Sequence, residues 1–243
     1  IKKELEKVKQ TRGLHRKSRQ KVPYPVVALV GYTNAGKSTL FNKLTGANVY
    51  VEDLLFATLD PTMRTVTLPS GNKIILSDTV GFISDLPTQL VAAFHATLEE
   101  VIEADLILHV RDISSPDSDA QQQDVIAILK SLGLEKKMES AMFEIINKID
   151  LIDDEAREGL IRKGIPVSAL KGTGCDELLL KIEEFLAKDK KRFSTVLDAS
   201  NGKLLAWLYE HGENVEAINN DSSINVEVTL SDRQIAQFNK IKF

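Results

Sequence analysis

Eight consecutive residues, Gly31-Tyr32-Thr33-Asn34-Ala35-Gly36-Lys37-Ser38, set two glycines, a lysine and a hydroxyl at the spacing G-x-x-x-x-G-K-[ST]. That spacing serves a polyphosphate. The glycines let successive backbone N–H groups wrap the phosphates, Lys37 reaches the β- and γ-phosphates, and the Ser38 hydroxyl ligates Mg²⁺. Asn34, Ala35 and Thr39 lie within the same binding run. The pattern also stands in the right context: an apolar run, Val26 to Val30, reads as a buried strand before it. A helix pattern, Lys37 to Leu44, follows and adds the dipole of its N-terminus.

Three further segments complete a nucleotide site. Asp78-Thr79-Val80-Gly81 carries an aspartate for the far side of the Mg²⁺ shell and a glycine that can bring its N–H to the γ-phosphate. Asn147-Lys148-Ile149-Asp150 ends in a carboxylate able to accept from the adjacent N1–H and N2–H donors of guanine. Adenine offers no such pair, and a buried acceptor left unpaired costs roughly 1–3 kcal/mol, so Asp150 excludes ATP. Ser168-Ala169-Leu170 sits where a backbone N–H would meet the guanine O6. The expected ligands are therefore GTP, GDP as product, and Mg²⁺.

Stepping along the chain, strand and helix patterns alternate. Thr65 to Leu68 and Lys73 to Leu76 form a hairpin around Ser70-Gly71. Leu106 to Val110, a run including Ile145 and Ile146, and Ile165 to Val167 read as further strands. Between them lie helical patterns over Gln89 to Ile102, Asp119 to Leu132, Asp154 to Lys163 and Asp176 to Ala187. The expected fold is α/β, a P-loop GTPase domain whose mostly parallel sheet has helices on both faces. Lys188-Asp189-Lys190-Lys191-Arg192 marks a joint. Beyond it a strand (Phe193 to Leu197), a helix (Gly202 to His211), two strands (Val215 to Ile218, Ile224 to Leu230) and a helix from Asp232 form a small α+β module. The division expected is a basic helical linker over 1–22, a GTPase domain over 23–189 and a C-terminal domain over 190–243.

Charge is distributed unevenly. The net charge is −4, yet residues 1–21 hold nine Lys or Arg against two Glu, so the remainder is acidic. A basic arm on an acidic body suits a polyanion, RNA above all, although a solvated helix surface reads the same way. Ile1, Leu5 and Val8 fall on one helix face with no capping residue before them, as at the tail of a longer helix, so the chain reads as a fragment. No apolar stretch approaches the ~20 residues of a membrane helix, and the opening residues are charged rather than apolar as in a secretory leader. The single Cys175 cannot form an internal disulfide and fits a cytoplasmic or organellar-matrix setting. No Cys or His cluster has zinc spacing. His95 is a lone histidine without a catalytic partner. Trp207 with Leu204, Leu205 and Leu208 makes a helix core face, and Arg111 and Asp112 serve loop structure.

The motif order, with Thr58 in the loop after the first helix, is similar to that of the translation-factor-like GTPases. Phe56-Ala57-Thr58-Leu59-Asp60-Pro61-Thr62, Asp78-Thr79-Val80-Gly81-Phe82-Ile83 and Leu86-Pro87-Thr88-Gln89-Leu90-Val91-Ala92-Ala93-Phe94 resemble the HflX family, from about residue 1 to 190. The resemblance implies a monomeric GTPase that binds the large ribosomal subunit, its RNA and protein, and acts in splitting or rescue of stalled ribosomes. It implies Thr58, rather than its rival Thr62, as the switch residue over Mg²⁺ and the γ-phosphate. Lys37, Thr58 and Gly81 are then the catalytic set, and Ser38, Thr58 and Asp78 the metal set. Phe82 stands where many GTPases have a water-orienting Gln, so intrinsic hydrolysis is expected to be slow and to be accelerated by the ribosome. Asn34 is the residue that potassium-activated GTPases often carry there, which makes K⁺ a candidate cofactor, although other GTPases carry an Asn at this position without that dependence. Two other readings stand beside this one. A nucleotide-gated protein-binding switch would hydrolyse GTP only incidentally, whereas an ATP-using P-loop kinase conflicts with Asp150.

Overall fold

The structure, a computed structural model, describes residues 24–46, 62–79, 81, 100–153, 164–188 and 190–242. Residues 1–22, Thr58, Phe82, His95 and the helix expected over Asp154 to Lys163 fall outside these. The described chain divides into two compact units, one running Pro25–Glu183 and the other containing Glu184–Phe243.

In the first unit the strands are β1 (Val26–Val30), β2 (Thr62–Thr67), β3 (Lys73–Asp78), β4 (Leu106–Asp112), β5 (Met142–Asn147) and β6 (Ile165–Pro166). They form one sheet in the order β2-β3-β1-β4-β5-β6. Only the β2–β3 hairpin is antiparallel; β1 runs parallel to β3 and β4, and β5 parallel to β4 and β6. The interior strands β1 and β4 are buried almost throughout, as a parallel sheet covered on both faces requires. The edge strand β2 is largely open to solvent.

The helices are α1 (Lys37–Thr45), α2 (Ser118–Ser131), α3 (Glu135–Ser140) and α4 (Cys175–Ala187). On one sheet face Ala28, Val30 and Ile107 pack with Val125 and Leu129 of α2. Side chains alternate along a strand, so Val27 and Leu29 point to the other face, and α1 lies against β1, β2 and β3. Strands β4 and β5 reach further than their apolar runs suggest: β4 continues through Arg111 and Asp112, and β5 begins at Met142. The short helix α3 carries no apolar stripe and had no sequence signal. Buried Cys175 is a free thiol.

The second unit takes in the end of α4 and then β7 (Lys190–Asp198), α5 (Gly202–His211), β8 (Glu213–Asn219), β9 (Ser223–Ser231) and α6 (Asp232–Lys242), with sheet order β7-β9-β8. Its core joins Leu197, Leu204, Leu208, Val226, Val228, Leu230 and Phe238, and Trp207 packs on it beside His211 and Phe238. The lysine-rich joint thus contains the first turn-free residues of a strand. Lys190 pairs with Glu213 and Lys191 with Asp232, so alternation along β7 places these charges against partners.

Candidate functional site

The carboxyl ends of β1, β3, β4, β5 and β6 meet at one edge of the sheet, where ligands of open α/β sheets collect. The loop after β1 turns through Asn34, whose backbone is left-handed (φ 60°) and whose side chain is exposed. It ends at Gly36, which precedes α1 with φ 93°. A Cβ at Gly36 would both be strained there and collide with the Asn147 amide. α1 has no side-chain N-cap. A helix N-terminus of this kind favours an anion, as in phosphate-binding helices.

Lys37 is 6% exposed and folds back over the loop, its Nζ donating to the carbonyls of Gly31 (3.1 Å) and Tyr32 (2.8 Å). Burial lowers its pKa from 10.5 to about 8, with the Asp78 carboxylate opposing the drop. Gly81 comes within reach: a Cβ built on it would lie 2.9 Å from Lys37 Nζ and 2.9 Å from Thr33 Cα. Gly81 is therefore held against the phosphate loop and its lysine. Thr79, next to Asp78, donates its hydroxyl to the Leu29 carbonyl at 2.6 Å.

Ser38 Oγ donates to Asp78 Oδ2 at 2.6 Å, although the two residues are 40 apart in the chain. A hydroxyl and a carboxylate brought together at the start of α1 form a hard-oxygen pair suited to Mg²⁺, which commonly takes one or two protein ligands and fills its shell from phosphates and water. Among the described residues no group of three or more His, Cys, Asp or Glu could hold a metal by itself. Thr62 opens β2 opposite Asp78, as a ladder residue.

Asn147 is 2% exposed and ties the two halves of the site together. Its Nδ2 donates to the Ala35 carbonyl at 2.8 Å, and its Oδ1 accepts the Ala169 N–H at 3.0 Å. The next residue, Lys148, has a left-handed backbone (φ 64°) and caps the 3-10 turn Ile149–Leu151. Asp150 on that turn accepts the Ser168 hydroxyl through Oδ1 at 2.6 Å. Ser168 Oγ in turn accepts the Lys171 N–H at 3.1 Å, which shapes the loop bearing Leu170, 74% exposed. Since the Ala169 N–H already serves Asn147, an incoming carbonyl oxygen would share it or take that of Leu170.

Of the residues expected from the sequence, the described ones gather at this edge: Gly31, Asn34, Ala35, Gly36, Lys37, Ser38, Thr39, Asp78, Gly81, Asn147, Lys148, Asp150, Ser168, Ala169 and Leu170. Two features were missed. Lys148 Nζ is bound by Asp112 Oδ2 at 2.7 Å, so Asp112 does more than shape its own loop. His109 on β4 is buried and its pKa falls to about 4, through burial first and then the nearby Arg111 and Lys37 charges, so it stays neutral below the phosphate loop. Arg111 is structural, as expected, bonded to Glu144, Ser118 and Asp119. No motif could have marked the Asp112–Lys148 pair, because the two residues stand 36 apart in the chain. No helix among the described residues is long and apolar enough to cross a membrane.

Comparison with known proteins gives two family matches, "50S ribosome-binding GTPase" over residues 26–148 and "HflX C-terminal domain" over residues 156–241. A relative named GTPase HflX from Magnetococcus marinus is 45% identical over 234 residues, covering 95% of this chain and 54% of that protein. Putative GTP-binding protein 6 of Homo sapiens is 38% identical, covering 99% and 47%. Among solved structures, a GTP-binding protein from the archaeon Sulfolobus solfataricus in complex with GDP aligns with a TM-score of 0.55 at 31% identity, over 73% of this chain and 56% of that one. The chain spans about half the length of the relatives it matches.

Proposed function

This chain belongs to the HflX family of GTPases and carries the P-loop GTPase fold, and from that premise we propose that it hydrolyses GTP to GDP and phosphate in contact with the large ribosomal subunit. The observation that carries the reading is the Asn147 bridge. It locks the phosphate loop at Ala35 to the base-reading loop at Ala169, as a single site for both ends of a nucleotide requires.

In this proposal Lys37 exchanges the Gly31 and Tyr32 carbonyls for the β- and γ-phosphate oxygens, and the backbone N–H groups of residues 34–39 cradle the polyphosphate. The Gly81 N–H donates to the γ-phosphate, and Asp150 accepts from guanine N1–H and N2–H. Lys148 flanks the base, and the N–H of Ala169 or Leu170 donates to O6. Ser38 and Asp78 would hold Mg²⁺, with Thr58 joining them; when bound, the ion neutralises charge on the phosphate oxygens. Phe82 offers the attacking water no hydrogen bond, so turnover by the chain alone is slow and a partner raises it. The proposed division is a basic linker over 1–22, the GTPase domain over 23–189 and a small α+β domain over 190–243. For the whole protein the proposed role is splitting or rescue of ribosomes, working as a monomer in the cytoplasm or an organellar matrix.

GTP hydrolysis with and without purified large ribosomal subunits, in KCl, tests this. Strong stimulation by the subunit is expected. Unchanged turnover with GTP binding intact would overturn the ribosome-linked reading in favour of a nucleotide-gated protein-binding switch.

A further inference from the structure

At the carboxyl end of β4, Asp112 lies beside Asn147, its register partner on β5. The two strand ends are joined again when the Ile113 N–H donates to the Asn147 carbonyl at 3.1 Å. The Asp112 carboxylate divides its oxygens. Oδ1 accepts the Ser114 N–H (2.9 Å) and the Ser114 hydroxyl (2.5 Å), while Oδ2 accepts Lys148 Nζ at 2.7 Å. The pair is partly sheltered, with the Asp112 side chain 15% and the Lys148 side chain 31% exposed. A sheltered charge-assisted bond of this kind is stronger than a neutral one or a surface ion pair.

Lys148 occupies a backbone region that disfavours any residue with a Cβ. It also starts the turn that carries Asp150, through the bond from the Leu151 N–H to the Lys148 carbonyl at 3.0 Å. The direction in which Asp150 points therefore depends on Lys148 keeping that conformation. Its side chain is held from outside the turn by Asp112, 36 residues earlier. Arg111, the neighbouring cation, is engaged by Glu144, Ser118 and Asp119 and does not compete.

We propose that Asp112 is a positioning residue for base recognition: by clamping the Lys148 ammonium to the end of β4, it fixes the left-handed turn that aims Asp150 at the base edge. The inference rests on the nucleotide reading above. It assigns Asp112 a role transmitted wholly through Lys148, and its contact with Ser114 a local one.

The test is a double-mutant cycle on the dissociation rate of a fluorescent GDP analogue, with Asp112→Asn, Lys148→Met and the two combined. Asparagine keeps an oxygen for Ser114 but not the charge. Asp112→Asn is expected to speed dissociation about tenfold in the wild-type background, as loss of a charge-assisted bond implies. In the Lys148→Met background it should change the rate by less than about twofold, because the partner is already gone. Ser114→Ala, which leaves the ion pair intact, should likewise stay within about twofold. Equal acceleration in both backgrounds, which a merely structural role would produce, overturns the inference, as does no acceleration in the wild type. The same cycle run with Asp112→Ser covers a folding defect peculiar to asparagine. A wild-type chain that binds no guanine nucleotide would overturn the nucleotide reading itself. A chain that binds it, with Asp112→Asn indistinguishable, overturns the positioning role alone.

Discussion

Replacing Asn147 by alanine removes two buried hydrogen bonds at once, those to the Ala35 carbonyl and from the Ala169 N–H. The residue is 2% exposed, so water does not readily take its place. Leaving a buried polar group unpartnered costs about 1–3 kcal/mol, so the two together amount to ~2–6 kcal/mol. Denaturant unfolding at saturating GDP and without nucleotide measures it: the bound form of Asn147→Ala should lose ~2–6 kcal/mol, divided between apo stability and GDP affinity. Asn147→Asp sharpens the test. It retains an acceptor for Ala169 but sets an oxygen against the Ala35 carbonyl in place of a donor, and should lose at least as much. A GDP-bound Asn147→Ala within about 0.5 kcal/mol of wild type, the range of an ordinary surface change, would refute the bridge as the element joining the two halves of the site.

Lys37 makes the site pH-dependent. Because burial lowers its pKa to about 8, the unfolded chain binds more protons than the folded one between about pH 8 and 10.5, and stability without nucleotide rises with pH across that window. A bound polyphosphate restores the ammonium, so binding takes up a proton there and GDP affinity falls as pH climbs above 8; calorimetry at pH 9 in buffers of different ionisation heat should show the uptake, and its absence would count against a buried apo lysine. Gly81→Ala places a methyl against Lys37 and the Thr33 backbone. GTP affinity should fall by about tenfold or more while GDP, lacking the γ-phosphate, changes less, a contrast read by competition binding. For Asn34 the discriminating measurement is hydrolysis in KCl against NaCl: a higher rate in KCl would support K⁺ as a cofactor, and equal rates would remove it.

Which chemistry this chain can do is legible locally. Gly31 to Ser38, Asp78 to Gly81 and Asn147 to Asp150 are short runs whose residue types specify phosphate, metal and base contacts without reference to any other segment. Element type is equally local where an apolar run or stripe is long: β1 and α5 have the limits that their patterns indicate. What binds one motif to another is not local. Asn147 meets Ala35 across 112 residues, and Lys148 meets Asp112 across 36, because the order β1-β4-β5-β6 lays the carboxyl ends of these strands side by side. A one-residue slip in the β4–β5 register would turn the facing side chains to the opposite face and move Asp112 from beside Asn147. Charges show the same limit. The Lys188–Arg192 run reads as a basic joint, yet the fold brings Glu213 of β8 to Lys190 and Asp232 at the start of α6 to Lys191. Residue identity sets what each group can bind, and only the packed sheet decides which neighbour it finds. That is why Asp112 reads as a loop residue in the sequence and as a clamp in the fold.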